Sequence, residues 1–100
     1  MSEFADVYGE HIRLSILRLL DAQPAYCAND SVLTIAVQQF GLSCTRTQMR
    51  DHLAWLADVR MVTLLKPADG VIVATLTERG ADIAHGRTST PGIARPSPKG

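Results

Sequence analysis

Cysteine is scarce in this chain, and the two present, Cys27 and Cys44, are far apart and form no CxxC pair. That excludes a disulfide scaffold and the usual structural zinc site, whose ligands come at short fixed spacings. Both thiols are expected to be free. Net charge is also lacking, with ten basic residues balanced by ten acidic ones. A uniformly basic nucleic-acid binder or an acidic disordered chain is therefore excluded. No apolar run is long enough to cross a bilayer. The start, MSEFADVYGE, is acidic and lacks the basic segment and small-residue cleavage site of a signal peptide, so an intracellular protein is expected.

Motifs of catalysis are missing as well. The chain has no phosphate-cradling glycine loop, nucleophile elbow or zinc-protease signature. Asp51 and His52 are adjacent, and neighbouring helical residues point in different directions, so they form no aligned catalytic pair. His11, His52 and His85 share no ligand spacing with each other or with the cysteines. Neither an enzyme nor a metal or cofactor protein is expected.

What remains is a chain of 100 residues, 46% apolar, sufficient for one domain with a small core. Its charges are mildly segregated. Residues 1–42 carry Glu3, Asp6, Glu10, Asp21 and Asp30 against Arg13 and Arg18. Residues 43–66 reverse the sign, with Arg46, Arg50, Arg60 and Lys66 against Asp51 and Asp58. After an acidic interval, the tail carries Arg87, Arg95 and Lys99 and no acid.

Helical spacing of Tyr8, Ile12, Ile16 and Leu19 predicts a first helix from about Ser2 to Ala22. Leu14, Leu17 and Leu20 add a second apolar face. Either the domain wraps this helix, or a homodimer through residues 4–20 covers it. Gln23-Pro24 ends it, and 25–29 is expected to be a connector. Asn29 or Asp30 can cap a second helix over 31–40, and Gly41 suits the left-handed residue after its end. The stretch 45–59, TRTQMRDHLAWLADV, predicts a third helix whose Thr45 and Gln48 have capping-box spacing. Two β-rich runs, 61–65 and 71–76, flank KPADG, a strong hairpin signal. Thr77 caps a short last helix from Glu78 to about His85. The Pro-, Gly- and Ser/Thr-rich tail, 87–100, is expected to be extended and flexible.

Helix, helix, tight turn, helix, hairpin, helix is the element order of a winged helix-turn-helix. The expected class is α+β, mainly α, with residues 1–86 forming the domain. In that architecture the third helix enters the major groove by its N-terminal residues and the hairpin forms the wing. Three stretches carry a resemblance to a known family: HIRLSILRLL in the first helix, VATLTERG after the wing, and GIARPSP in the tail. In these the chain resembles small winged-helix proteins of Mu-like transposable bacteriophages and their prophages, some described as ArsR-type regulators. The resemblance implies phage origin, a winged-helix fold and the cytoplasm of a bacterial host. The metal-binding cysteine motif of ArsR sensors is absent here, so metal sensing does not carry over.

Two readings of the third helix follow. In the first, the protein binds double-stranded DNA. Thr45–Arg50 sit in the major groove: Arg46 and Arg50 grip guanine or phosphate, Gln48 reads adenine, and Thr47 contacts a phosphate or a thymine methyl. Arg60 and Lys66 then add backbone contacts. Replacing Arg46 and Arg50 with Ala is expected to abolish binding without unfolding the domain. In the second, the same residues are a solvated helix face, and the protein is an adaptor that holds a phage or host protein. Asp51 and Asp69 favour that alternative. A continuous basic strip along the third helix and wing would support DNA, and a mixed surface would support the adaptor.

Overall fold

The computed structural model describes residues 3–96; the expected helix start at Ser2 and the end of the tail lie outside them. Helix α1 spans Glu3–Asp21 and is the hub of the core. Ile16, Leu17 and Leu20 have no exposed surface, and Leu14 is almost as deep. Each such side chain contributes about 1.5–3 kcal/mol of burial free energy. Both faces of the middle of α1 are thus covered by the chain itself, and Phe4 and Val7 are the exposed large apolar groups near its start.

The segment expected to be a connector contains a strand. After Pro24 the backbone turns through Ala25 and Tyr26, both at positive φ, into β1, Cys27–Asn29. Three residues are too few to show alternation, so the strand leaves no pattern in the sequence. Helix α2, Asp30–Ala36, follows directly, and Val37–Phe40 tightens into a 3-10 turn. Gly41 then takes φ of 75°, and the Leu42 N–H reaches back to the Val37 carbonyl. Helix α3, Arg46–Asp58, starts with a complete capping box. The Gln48 N–H donates to Thr45 Oγ1 at 3.0 Å, and the Thr45 N–H donates to Gln48 Oε1 at 2.9 Å. One side of α3 sinks Met49, Leu53 and Leu56 fully into the core.

Strands β2, Val62–Ala68, and β3, Val71–Leu76, form the expected hairpin. Their register pairs Val62 with Leu76 and Leu65 with Val73, then slips before Ala68 pairs with Val71. Pro67 sits in that slip; it has no N–H to give to a ladder. Strand β1 pairs antiparallel with the other edge of β3, giving the sheet order β1-β3-β2.

Helix α4, Glu78–Ala84, explains the sequence LTERG. Thr77 Oγ1 accepts from the Gly80 N–H at 3.0 Å and lies 2.8 Å from the Arg60 carbonyl, tying cap to chain reversal. Gly80 lies so close to the Met61 carbonyl that no side chain fits there.

The tail does not extend away between 87 and 96, which corrects the expected boundary after residue 86. Ile93 is 5% exposed and belongs to the core, and the Ala94 N–H donates to the Glu10 carbonyl at 3.1 Å. Arg13 holds this strap from α1. Its Nη1 donates to the Gly92 carbonyl at 2.5 Å, its Nε to His52 Nδ1 at 3.3 Å, and its guanidinium lies 4.5 Å over the Trp55 ring. The composition is that of a loose tail, but a buried isoleucine and the bonds that tie Gly92 to Arg13 and Ala94 to Glu10 anchor the segment. Burial, and then the nearby Arg13 charge, lower the His52 pKa and favour its neutral, accepting form.

Candidate nucleic-acid interface

The sequence singles out seven residues; the structure sorts six of them into three groups and leaves Arg60 apart. Thr45 and Gln48 are committed to the capping box, so their polar atoms already bond α3 itself. Thr47 is exposed on the first turn of α3, and Lys66 is exposed on β2. Arg60 stands apart: it follows the far end of α3, about 20 Å along the axis from Arg46 at 1.5 Å per residue. It sits at φ 67°, and its carbonyl faces the Thr77 hydroxyl.

Arg46 and Arg50 form the third group, and they are not merely a solvated face. Both bond Asp30, the first residue of α2. Arg50 Nε donates to Asp30 Oδ2 at 2.6 Å, and Arg46 Nε donates to the same oxygen at 3.2 Å. Each guanidinium also donates Nη2 to the Gly70 carbonyl at the hairpin turn, at 2.5 Å from Arg46 and 2.6 Å from Arg50. The other Asp30 oxygen, Oδ1, accepts from the Ile72 N–H at 3.3 Å. One carboxylate and one carbonyl therefore fasten α2, α3 and the hairpin together.

Asp30 has no exposed side-chain surface, whereas the side chains of Arg46 and Arg50 are 49% and 36% exposed. Burial pushes the Asp30 pKa up, but hydrogen bonds from Arg50, then Arg46, then the Ile72 N–H outweigh it and hold it at about 2. Asp30 is thus ionised at neutral pH, and the cluster of two cations and one anion keeps one net positive charge.

Nε and Nη2 form one lateral edge of a guanidinium, and in both arginines that edge is spent on protein. Among the described residues Nη1 of each has no bonding partner. The terminal edge, made of Nη1 and the second hydrogen of Nη2, remains as a two-pronged donor. Such a fork matches a phosphate or the O6/N7 edge of guanine.

The surrounding surface is mixed in sign. Asp51 and Asp58 are exposed on α3, and Asp69 is exposed at the hairpin turn beside Lys66. A continuous basic strip does not form.

Asp30 is the member of this cluster that the sequence does not point to. Its one signal was redundancy. Asn29 fills the cap, its Oδ1 accepting from the Val32 N–H at 2.8 Å, so a second capping residue had no local task.

Among the described residues no group of three or more His, Cys, Asp or Glu could hold a metal, and no helix is long and apolar enough to cross a membrane. Cys27 and Cys44 are both unpaired and half-buried, and burial raises the Cys44 thiol pKa.

No protein-family model matches the chain. Among solved structures it is similar to RosR of H. salinarum, at 15% identity and a TM-score of 0.64. That likeness covers 74% of this chain and 66% of RosR, so about a third of RosR has no counterpart here. The RosR–S1 and RosR–S4 complexes match at 14% identity and a TM-score of 0.62, over 85% of this chain. At such identity the likeness speaks for the fold alone.

Two relatives are similar in sequence. A protein of Haemophilus influenzae strain KW20 Rd is 32% identical over 76 residues, 76% of this chain and 74% of its own length. The gp26 protein of Escherichia phage Mu is 38% identical over 95 residues, 94% of this chain and 96% of gp26. At that identity over almost the full length of both chains, this protein belongs to the family of phage Mu gp26.

Proposed function

We propose that the protein is a winged-helix DNA-binding protein of a Mu-like phage, acting in the host cytoplasm as a transcriptional regulator or DNA-recognition factor in phage development. In this reading α2 and α3 are the helix-turn-helix, and β2 and β3 are the wing. The first turns of α3 enter the major groove. Arg46 and Arg50 present their terminal forks, Thr47 contacts backbone or a thymine methyl, and Lys66 meets a phosphate of the flanking strand. Thr45 and Gln48 contribute by fixing the start of α3, and Arg60 is left as a remote backbone contact. The observation that carries the reading is the clamp on Asp30 and Gly70. It makes the start of α3 and the hairpin one rigid surface with two guanidinium forks.

The protein is further proposed to act as a homodimer through the start of α1, where Phe4 is 74% exposed and Val7 lies one turn on. Dimerisation would match two half-sites on DNA.

A second reading, an adaptor for a phage or host protein, is favoured by one observation: Asp51, Asp58 and Asp69 interrupt the positive charge of the same surface.

Fluorescence anisotropy with pooled Mu-like phage genome fragments, beside a scrambled duplex and across a salt series, separates the two. The DNA reading expects saturable binding that prefers phage fragments and weakens steeply with salt, because phosphate contacts release counterions. No binding at low salt by a folded sample would overturn it and leave the adaptor.

A further inference from the structure

We propose that Asp30 is a positioning residue for DNA recognition: it selects, by holding them, the orientations in which Arg46 and Arg50 meet a base or phosphate. The proposal rests on the DNA-binding reading and goes beyond it, since Asp30 itself has no exposed side-chain surface with which to touch a ligand.

An arginine free at a protein surface has many rotamers, and ordering it on binding costs affinity. It also pairs with any phosphate it reaches, so a loose pair of arginines gives affinity without sequence preference. Asp30 changes both terms. Oδ2 takes the Nε–H of both guanidiniums, at 2.6 and 3.2 Å, and the Gly70 carbonyl takes an Nη2–H from each. Two bonds to one edge of a planar group fix its plane as well as its position. The ordering is therefore completed when the protein folds.

The same carboxylate cancels one of the two positive charges. It thereby weakens the sequence-independent attraction to the phosphate backbone and leaves the terminal forks as the discriminating contacts. Asp30 is in turn anchored through Oδ1 to the Ile72 N–H on β3, so the hairpin's placement is read out in the arginines' orientation.

Asp30→Asn is the informative change, because it keeps the size and removes the charge. An amide cannot accept two guanidinium bonds and the Ile72 N–H as the carboxylate does. Anisotropy titrations on phage fragments and on a scrambled duplex, across salt, read the result. For D30N the proposal expects tighter binding to the scrambled duplex and a salt dependence steeper by about 0.9 in the log–log slope, from one more unneutralised charge. It also expects the preference for phage DNA to fall by about tenfold, the scale of one lost bidentate contact. A purely structural Asp30 would weaken binding to both duplexes alike. Wild-type protein that prefers phage DNA, together with D30N that keeps the preference and slope, overturns the role of Asp30 alone. Wild-type protein that binds neither duplex overturns the DNA reading and this proposal with it.

If D30N does not fold, the wild-type arginines decide. Side-chain NMR relaxation is expected to find the Nε–H vectors of Arg46 and Arg50 as rigid as the backbone, with Nε shifts unchanged when phage DNA is added. Mobile guanidiniums, or Nε groups that leave Asp30 for DNA, overturn the proposal.

Discussion

Replacing Arg46 and Arg50 together with Ala destabilises the domain by about 3 kcal/mol, an effect of removing the partners of a buried charge. Sequence reasoning expected this double variant to lose DNA and stay folded. The structure changes that expectation, because Asp30 has no exposed side-chain surface and depends on both guanidiniums. Breaking a buried pair from one side costs about 3–5 kcal/mol, and the exposure of the two arginines places this case at the lower end. A loss of that size is a large fraction of the stability of a small domain. Urea denaturation followed by circular dichroism measures it. Adding Asp30→Asn to the double variant removes the stranded charge, so the triple variant is expected to be more stable than the double.

The pH dependence has a definite sign. The Asp30 pKa is held at about 2, below the usual 3.8, so its contribution is fully present above pH 3.8 and is lost as pH falls through about 2. In the double variant burial raises the Asp30 pKa with no arginine to oppose it, so the gap between wild type and the double variant starts to close above pH 3.8 and has closed once pH falls through about 2. A double variant as stable as wild type at neutral pH would show that the clamp does not hold in solution.

Gly80→Ala is expected to cost about 3 kcal/mol, although Ala is the better helix former. A Cβ at this position overlaps the Met61 carbonyl oxygen and meets Leu76 Cδ1 at 2.8 Å. The Met61 carbonyl cannot simply yield, because it accepts the Thr77 N–H at 3.1 Å. Relief requires moving the start of α4 away from the start of β2, which disturbs the Thr77 cap as well. Overpacking of this kind costs about 1–3 kcal/mol and a lost cap about 1 more, against a propensity gain of about 1. Gly9→Ala is the control. Its Cβ would find Arg13 and His52 at 3.5 Å, an ordinary contact, so the change is expected to be neutral or to stabilise α1 by up to about 1 kcal/mol. Thermal melts of the two variants test the pair. Equal effects at the two glycines would contradict the packing described for α4.

The parts of the fold legible in the sequence were those governed by local chemistry. Thr45 and Gln48 announced the start of α3 because a capping box is a contact between neighbours in the chain. KPADG announced the hairpin because a turn sets its own backbone angles. Strand β1 was invisible, since its identity comes from pairing Cys27–Asn29 with β3, more than forty residues later. The tail misled for the same reason: its composition is that of a loop, while Ile93 and Gly92 are held by α1 and Trp55. At the candidate site, Arg46 and Arg50 were visible as one helical face, but their partner was not. A buried aspartate beside a competent cap looks like a spare cap until α2 and α3 are packed. The β1 pairing, the clamp and the strap are all long-range, and periodicity reports only the near neighbourhood.

The account turns on one surface, the start of α3 together with the hairpin turn. Amide chemical-shift mapping of the labelled protein with a phage duplex selected by binding tests it most directly. The account predicts that the largest shifts fall on residues 45–50 and 66–70, while the Ile72 amide, held on Asp30 inside the preformed clamp, shifts little. A groove elsewhere on the molecule is lined by Tyr8 and Arg13 of α1 and by His52 and Trp55 of α3; shifts confined to it, or no shifts at saturating DNA, would contradict the account.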